Sequence, residues 1–402
     1  MHGTDRLHSL DAVRAFALLA GIVLHATMSF LPGMFPGIWA YVDTAPSTTL
    51  SVTMFTIHMF RMSLFFLLAG FFAHMSFQRK GMRDFLADRG KRILLPLCLG
   101  WILLFPLISM VWNWGLTRLL GSVPQIPKGF LPADYFPLFH LWFLYVLILL
   151  YAGALALHVL FDKVIDRKGH LRRGIDALVR IAVPYLWGPA ILAVPVALGL
   201  YYQNPWIGWF GVPTPDSSYI PSLAAMVSFG MAFGLGWLLH RQAHLMQSWT
   251  KTWPFYLALA VACTAYCLYQ LGLKPAFVPT GTTGSKALYA ATYAFGCWNW
   301  IFALIGLGMR FLTNENRAIR YLADSSYWLY LVHLPLVAGL AVVVGPLQIH
   351  WALKFGFILG VSIPLMLLSY EYLVRYTVIG RTLNGPRKRP LRGAMRPVLS
   401  LS

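Results

Sequence analysis

The sequence predicts an all-α polytopic membrane protein of about ten transmembrane helices with both termini in the cytoplasm. Three observations carry that reading. The composition is 58% hydrophobic and 11% charged, with a mean hydropathy of +0.64, too apolar for a soluble globule. Apolar windows of about 20 residues, the length a helix needs to cross roughly 30 Å of hydrocarbon, recur along the chain. The basic residues sort onto alternate connections between those windows, as topology signals do.

In chain order the windows fall at 10–31, 50–75, 93–113, 138–160, 177–201, 221–239, 253–271, 287–310, 325–345 and 351–374. The first, "LDAVRAFALLAGIVLHATMSF", exceeds a signal-peptide apolar core, carries ionisable residues and lacks a small-residue cleavage site, so it is read as a retained helix. With the N-terminus inside, nearly all of the 32 Lys and Arg residues lie on inner connections. Only Arg118, Lys128, Lys274 and Lys286 fall outside, and Arg14, Arg61 and Lys354 fall within helices. The outer connections, notably "QNPWIGWFGVPTPDSSYIP" and "LGLKPAFVPTGTTGSK", are rich in Pro, Gly and aromatics, which suits an interfacial or sugar-facing surface. Residues 1–376 are thus read as a transmembrane domain. Residues 377–402 are read as a basic cytoplasmic tail, disordered against anionic lipid.

The net charge of +19 does not point to nucleic acid, because the positive residues sort by loop. The bilayer is the expected partner. Cys98, Cys263, Cys267 and Cys297 lie in or beside apolar windows without paired spacing and read as packing residues. No metal is expected, since His25, His58, His140 and His333 are dispersed over four helices. "PTGTTGSK" lacks phosphate-loop spacing. No internal repeat supports a transporter fold.

Charges at bilayer depth cost at least ~2.5 to 3.5 kcal/mol on insertion scales, so the exceptions mark where function is sought. Arg14 and His25 are eleven residues apart, which returns a helix to one face within roughly 20° and about 16 Å along its axis. They form one polar stripe, from the cytoplasmic boundary toward the outer side. His58 and Arg61 share a face of the second helix and form a second wall of the same cavity. A neutral histidine there is suited to accept a proton. Arg89 and Arg92, one turn apart at the cytoplasmic mouth of the third helix, can grip phosphate, although their spacing equally fits ordinary positive-inside charges. His140 beside Trp142 is placed at the outer end of the fourth helix, suited to an acceptor. His333 is placed nearer the cytoplasmic half, suited to a donor. Glu371 is read as a structural ion-pair partner of Arg14 or Arg375.

The Arg14–His25 stripe, the Arg89-x-x-Arg92 pair, "RMSLFFLLAGFF" and "LADSSYWLYLVHLPLV" resemble the acyltransferase-3 family of integral membrane acyltransferases. "IHMFRMSLFF", "HLWFL", "YLVHLPL" and "YEYLVR" are further similar to those members that succinylate osmoregulated periplasmic glucans. The resemblance implies a bacterial-type inner-membrane enzyme with no bound cofactor. It would move an acyl group from cytoplasmic acyl-coenzyme A, here succinyl-coenzyme A, to a hydroxyl of a periplasmic or envelope glycan. In that scheme His25 is the general base, His58 or Arg61 stabilises the oxyanion, and Arg14, Arg89, Arg92 and His333 bind the donor. Arg61 would also meet the succinyl carboxylate, an anion that needs a cation inside the membrane. The alternatives are the same fold acetylating O-antigen, exopolysaccharide or peptidoglycan, or a secondary transporter.

Overall fold

The computed structural model describes residues 8–123, 133–281 and 283–385. Those residues form twelve α-helices: α1 (His8–Thr27), α2 (Thr48–Arg89), α3 (Leu95–Leu120), α4 (Trp142–Leu160), α5 (His170–Ala182), α6 (Gly188–Tyr202), α7 (Leu223–Arg241), α8 (Trp249–Leu271), α9 (Thr283–Phe311), α10 (Arg317–Val344), α11 (Trp351–Ser369) and α12 (Val378–Asn384). No strand is named among them. Helices are what lipid demands, because only they satisfy every backbone N–H and C=O within one segment.

Eight helical stretches among the described residues are long and apolar enough to cross a membrane. Two features separate that number from the ten windows of the sequence. The windows at 50–75 and 93–113 lie in one continuous helical run, Thr48–Leu120, kinked at Gly81. The window at 177–201 is divided, since Pro184 falls in the turn between α5 and α6 and leaves α6 only 15 residues long. Proline has no N–H to continue the ladder, so the break sits where the chain can no longer pair.

The long run is not straight. Gly81 has φ 72° and ψ 176°, a left-handed value inside α2 that a residue without Cβ adopts freely. The chain turns there, and the last turns of α2 lead into a π-helical segment, Gly90–Leu94. Two other π-helical segments, Phe161–Ile165 and Tyr370–Val374, follow α4 and α11. Short π segments inside helical runs recur at functional positions, and the first of these holds Arg92.

α1 lies within the bundle, packed against α2, α9, α10 and α11, while α2 packs along α7 and α8 along α9. Beyond α1 the chain folds back over the bundle. Asp43 N–H donates to the Ser29 carbonyl and Ser47 N–H to that of Phe30, both at 2.8 Å. Asp43 also pairs with Lys354 of α11 at 2.6 Å, with both side chains 1% exposed. Lys354 further donates to the Gly345 carbonyl at 2.8 Å, so the buried charge pair is fully engaged. It clamps the α1–α2 loop onto the bundle.

The segment expected as a disordered tail begins as α12, whose Leu383 is buried and whose Asn384 donates to the Asp324 carbonyl at 2.8 Å. Residues 386–402, the rest of that tail, lie outside the described residues.

Candidate active site

A cavity of about 1040 Å³ runs through the bundle. One end is lined by Arg14, Arg89, Arg92 and Asn384, and the other by the α1–α2, α3–α4, α6–α7 and α8–α9 connections. Between them lie His25, His58, Arg61, His140, Trp142 and His333. The tertiary structure thus gathers onto one surface every site residue expected from sequence except Glu371. Glu371, expected as an ion-pair partner of Arg14 or Arg375, pairs with Arg375 at 2.8 Å, away from the cavity.

The helical period explains the central pair. Arg14 and His25 share a face of α1, and both line the cavity. Arg14 is held at the mouth by an ion pair to Asp11 at 3.1 Å, by donation to the Ala323 carbonyl at 3.0 Å, and by Phe72 beneath its guanidinium. His25, about three turns further along α1, is enclosed by rings. Trp39 stacks on it at 5.7 Å with planes 10° apart, and His333 stands 5.0 Å away, centroid to centroid.

The neighbouring histidines are tied down. His140 meets the Leu331 carbonyl through Nε2 at 2.9 Å, and His333 meets the Tyr330 carbonyl through Nδ1 at 2.7 Å. A carbonyl only accepts, so each of these nitrogens donates, which sets each ring's orientation and neutral tautomer. The Tyr330 hydroxyl closes the cluster by donating to the His140 carbonyl at 2.6 Å. Nδ1 of His25, by contrast, is buried with no hydrogen-bond partner among the described residues. His25 and His58 are therefore the rings of this cluster for which no anchoring hydrogen bond is found among the described residues, and Nδ1 of His140 is unpartnered as well.

These depths differ from the sequence expectation. His333 stands against His25 and, at 5.2 Å between ring centroids, against His140, rather than at the donor mouth. His140 is buried, and Trp142 is buried against Phe66 and Phe229, so neither stands out from the outer surface. The chain before them is strained. Phe139 has φ 47°, costly for a residue with a side chain, and is held there by donation of its N–H to the Asp216 carbonyl at 2.8 Å.

Arg61 crosses from α2 to lie against Gly21 of α1, where any Cβ would collide with its guanidinium. Gly21 precedes His25 by one helical turn, so Arg61 and His25 occupy adjacent steps of the same wall. No salt bridge to Arg61 is found among the described residues, and its Nε is buried without a partner. A guanidinium in that setting favours an anionic ligand or a developing negative charge.

At the mouth, Asp88 organises three cations: Lys80 at 2.6 Å, Arg89 at 2.8 Å and Arg92 at 3.1 Å. Arg89 also donates to the Tyr151 hydroxyl at 3.4 Å and to Ser76 Oγ at 3.3 Å, and lies over the Phe85 ring at 5.0 Å. The Tyr327 hydroxyl donates to the Arg92 carbonyl at 2.5 Å, fixing the π segment to α10.

Trp39, Tyr330, Gly21 and Asp88 were not expected from sequence. Trp39 sits in an aperiodic loop that carries no signal. Asp88 is visible within "DFLADRGKR", one residue from the arginine pair, and that adjacency was the available clue. No group of three or more metal-ligating side chains occurs among the described residues.

The cavity, with a basic mouth and a histidine cluster midway, lies within a bundle of helices long and apolar enough to cross a membrane, and comparison with known proteins gives the class of protein. The acyltransferase domain family profile matches residues 7–371, and the chain belongs to that family. The protein is a membrane acyltransferase. It is similar to Glucans biosynthesis protein C of Salmonella typhi and of Salmonella typhimurium, at 25% identity over 408 residues, covering 97% of this chain and 98% of each relative. No solved structure is significantly similar.

Proposed function

We propose that the protein takes an acyl group from acyl-coenzyme A on the cytoplasmic side and transfers it to a glycan hydroxyl on the opposite side of an inner membrane. The observation that carries this reading is the single cavity joining Arg14, Arg89 and Arg92 to His25 and continuing to the outer connections. The arginines would hold the phosphates of the nucleotide end, leaving the pantetheine arm to run along α1 toward His25.

At His25 the imidazole takes the proton of the acceptor hydroxyl as its oxygen attacks the thioester carbonyl. His58 or Arg61 steadies the oxyanion. Collapse breaks the carbon–sulfur bond, and the imidazolium returns its proton to the leaving thiolate. The similarity to glucan biosynthesis proteins supports a glucan acceptor. The unpaired Arg61 supports a donor with its own carboxylate, succinyl being the simplest such group here. His140 and Trp142 would border the acceptor, and His333 would support His25.

The same reading places both termini in the cytoplasm. A helical run of 73 residues is about 110 Å long against a core of roughly 30 Å, so it crosses twice around the Gly81 bend. With α6 as a further short span, ten crossings result.

The test is purified protein in lipid nanodiscs with succinyl-coenzyme A and a periplasmic glucan, transfer being followed by mass spectrometry of the glucan. His25→Ala abolishes transfer while insertion and thermal unfolding stay as in the wild type. Undiminished transfer by that variant would remove His25 from the chemistry.

A further inference from the structure

α5 is built unlike the spans around it. At 100° per residue, Leu171, Leu178 and Ile181 fall within about 80° of one another, and Arg173 and Arg180 point to the opposite side. The three apolar residues are 46%, 67% and 56% exposed. The helix is not free to roll them inward. Arg241 donates to the Asp176 carboxylate at 2.7 Å, and Gln242 donates to its carbonyl at 3.1 Å. Val179 is buried, and Trp249 Nε1 donates to the Val183 carbonyl at 2.9 Å. The protein therefore sets the orientation of α5 and leaves one apolar face uncovered.

That face continues into a strip of exposed apolar side chains on the bundle. Tyr185, Leu186 and Trp187 in the following turn are exposed, with the Tyr185 and Trp187 rings stacked at 4.6 Å. Exposed Ile191, Val194 and Leu198 extend the strip along α6. Tyrosine and tryptophan are characteristic of the membrane–water boundary. α6 itself, at 15 residues, covers only about 22 Å of the roughly 30 Å core, and the stacked Tyr185–Trp187 pair stands immediately before it.

We propose that α5 lies flat in the headgroup layer, its Leu171–Leu178–Ile181 face sunk among the acyl chains. Arg173 and Arg180 on its other face bind the phosphates of anionic lipids. Amphipathic helices bind bilayers by this combination of apolar burial and basic charge. The inference is independent of which acyl group or acceptor the enzyme uses.

The test uses the full chain in nanodiscs of mixed phosphatidylglycerol and phosphatidylcholine. Spin labels are placed at Leu178→Cys or Arg180→Cys in a Cys98→Ala background, since the other cysteines are buried. The label at 178 is expected to be reached by oxygen and shielded from an aqueous nickel chelate, and the label at 180 to show the reverse. Retention of spin-labelled phosphatidylglycerol over phosphatidylcholine is expected to fall about fivefold for each arginine removed in Arg173→Gln and Arg180→Gln. Equal aqueous access at 178 and 180 would overturn the proposal. So would shielding of position 178 from both reagents, which would mean a protein cover, and so would lipid selectivity unchanged by either arginine substitution.

Discussion

The Arg61 guanidinium lies against Gly21, one helical turn before His25 on the same face of α1. A side chain at position 21 would occupy the space Arg61 now fills. Gly21→Ala improves the intrinsic helix propensity of α1 by up to about 1 kcal/mol, so a loss of activity cannot be assigned to a weakened helix. Transfer is expected to fall by roughly tenfold to a hundredfold, from the loss of one charged hydrogen bond, with the thermal unfolding midpoint in detergent unchanged or raised. Full activity in Gly21→Ala would show that the position of Arg61 is immaterial.

Arg61 is proposed to read the carboxylate of the donor's acyl group. Arg61→Lys and Arg61→Ala should lower use of succinyl-coenzyme A more than use of acetyl-coenzyme A, by roughly tenfold or more in the ratio of their kcat/KM values. Gly21→Ala, by displacing the same guanidinium, should move that ratio in the same direction. An unchanged ratio in the Arg61 variants would assign this arginine to helix packing.

Arg89 is the more enclosed member of the arginine pair, with its side chain 19% exposed against 33% for Arg92. Arg89→Lys keeps the charge but loses the planar fork that bonds phosphate through two nitrogens. The KM for acyl-coenzyme A is expected to rise about tenfold with kcat little changed. Acyl-pantetheine, which lacks the nucleotide phosphates, should be insensitive to the substitution. Equal losses with both donors would argue that Arg89 supports the fold of the mouth instead.

Asp43 and Lys354 hold the loop that brings Trp39 over His25. Lys354→Met strands a buried carboxylate and is expected to cost about 3–5 kcal/mol, whereas pairing it with Asp43→Leu should recover most of that loss. Thermal unfolding of the two variants in one detergent measures the difference. If the single and double variants were equally destabilised, packing rather than charge would explain the clamp.

Much of this site was legible before any tertiary structure, and the reason is local geometry. Arg14 and His25 could be placed on one face because a helix repeats every 3.6 residues, and His58 with Arg61 for the same cause. Asp88 lay beside the arginines in plain view, yet spacing cannot show that one carboxylate gathers Lys80, Arg89 and Arg92. Trp39 was invisible, since a loop has no period and its position depends on a charge pair more than 300 residues apart in sequence.

The amino-acid sequence by itself determined the helical membrane character, the sorting of basic residues and the polar stripe of α1, because each follows from composition or from the period of one helix. Only the tertiary structure decided which histidines carry an anchoring bond, His140 and His333, and which do not, His25 and His58. His140 lies just before α4 and the Leu331 carbonyl that fixes its tautomer belongs to α10, 191 residues away, so that constraint exists only once the two segments meet, whereas His333 is held within α10 by the Tyr330 carbonyl. The same holds for the division of 177–201 between α5 and the 15-residue α6. Its hydropathy is that of a membrane segment, but Pro184 breaks it, and the pins from Arg241, Gln242 and Trp249 hold α5 and the turn after it against the protein.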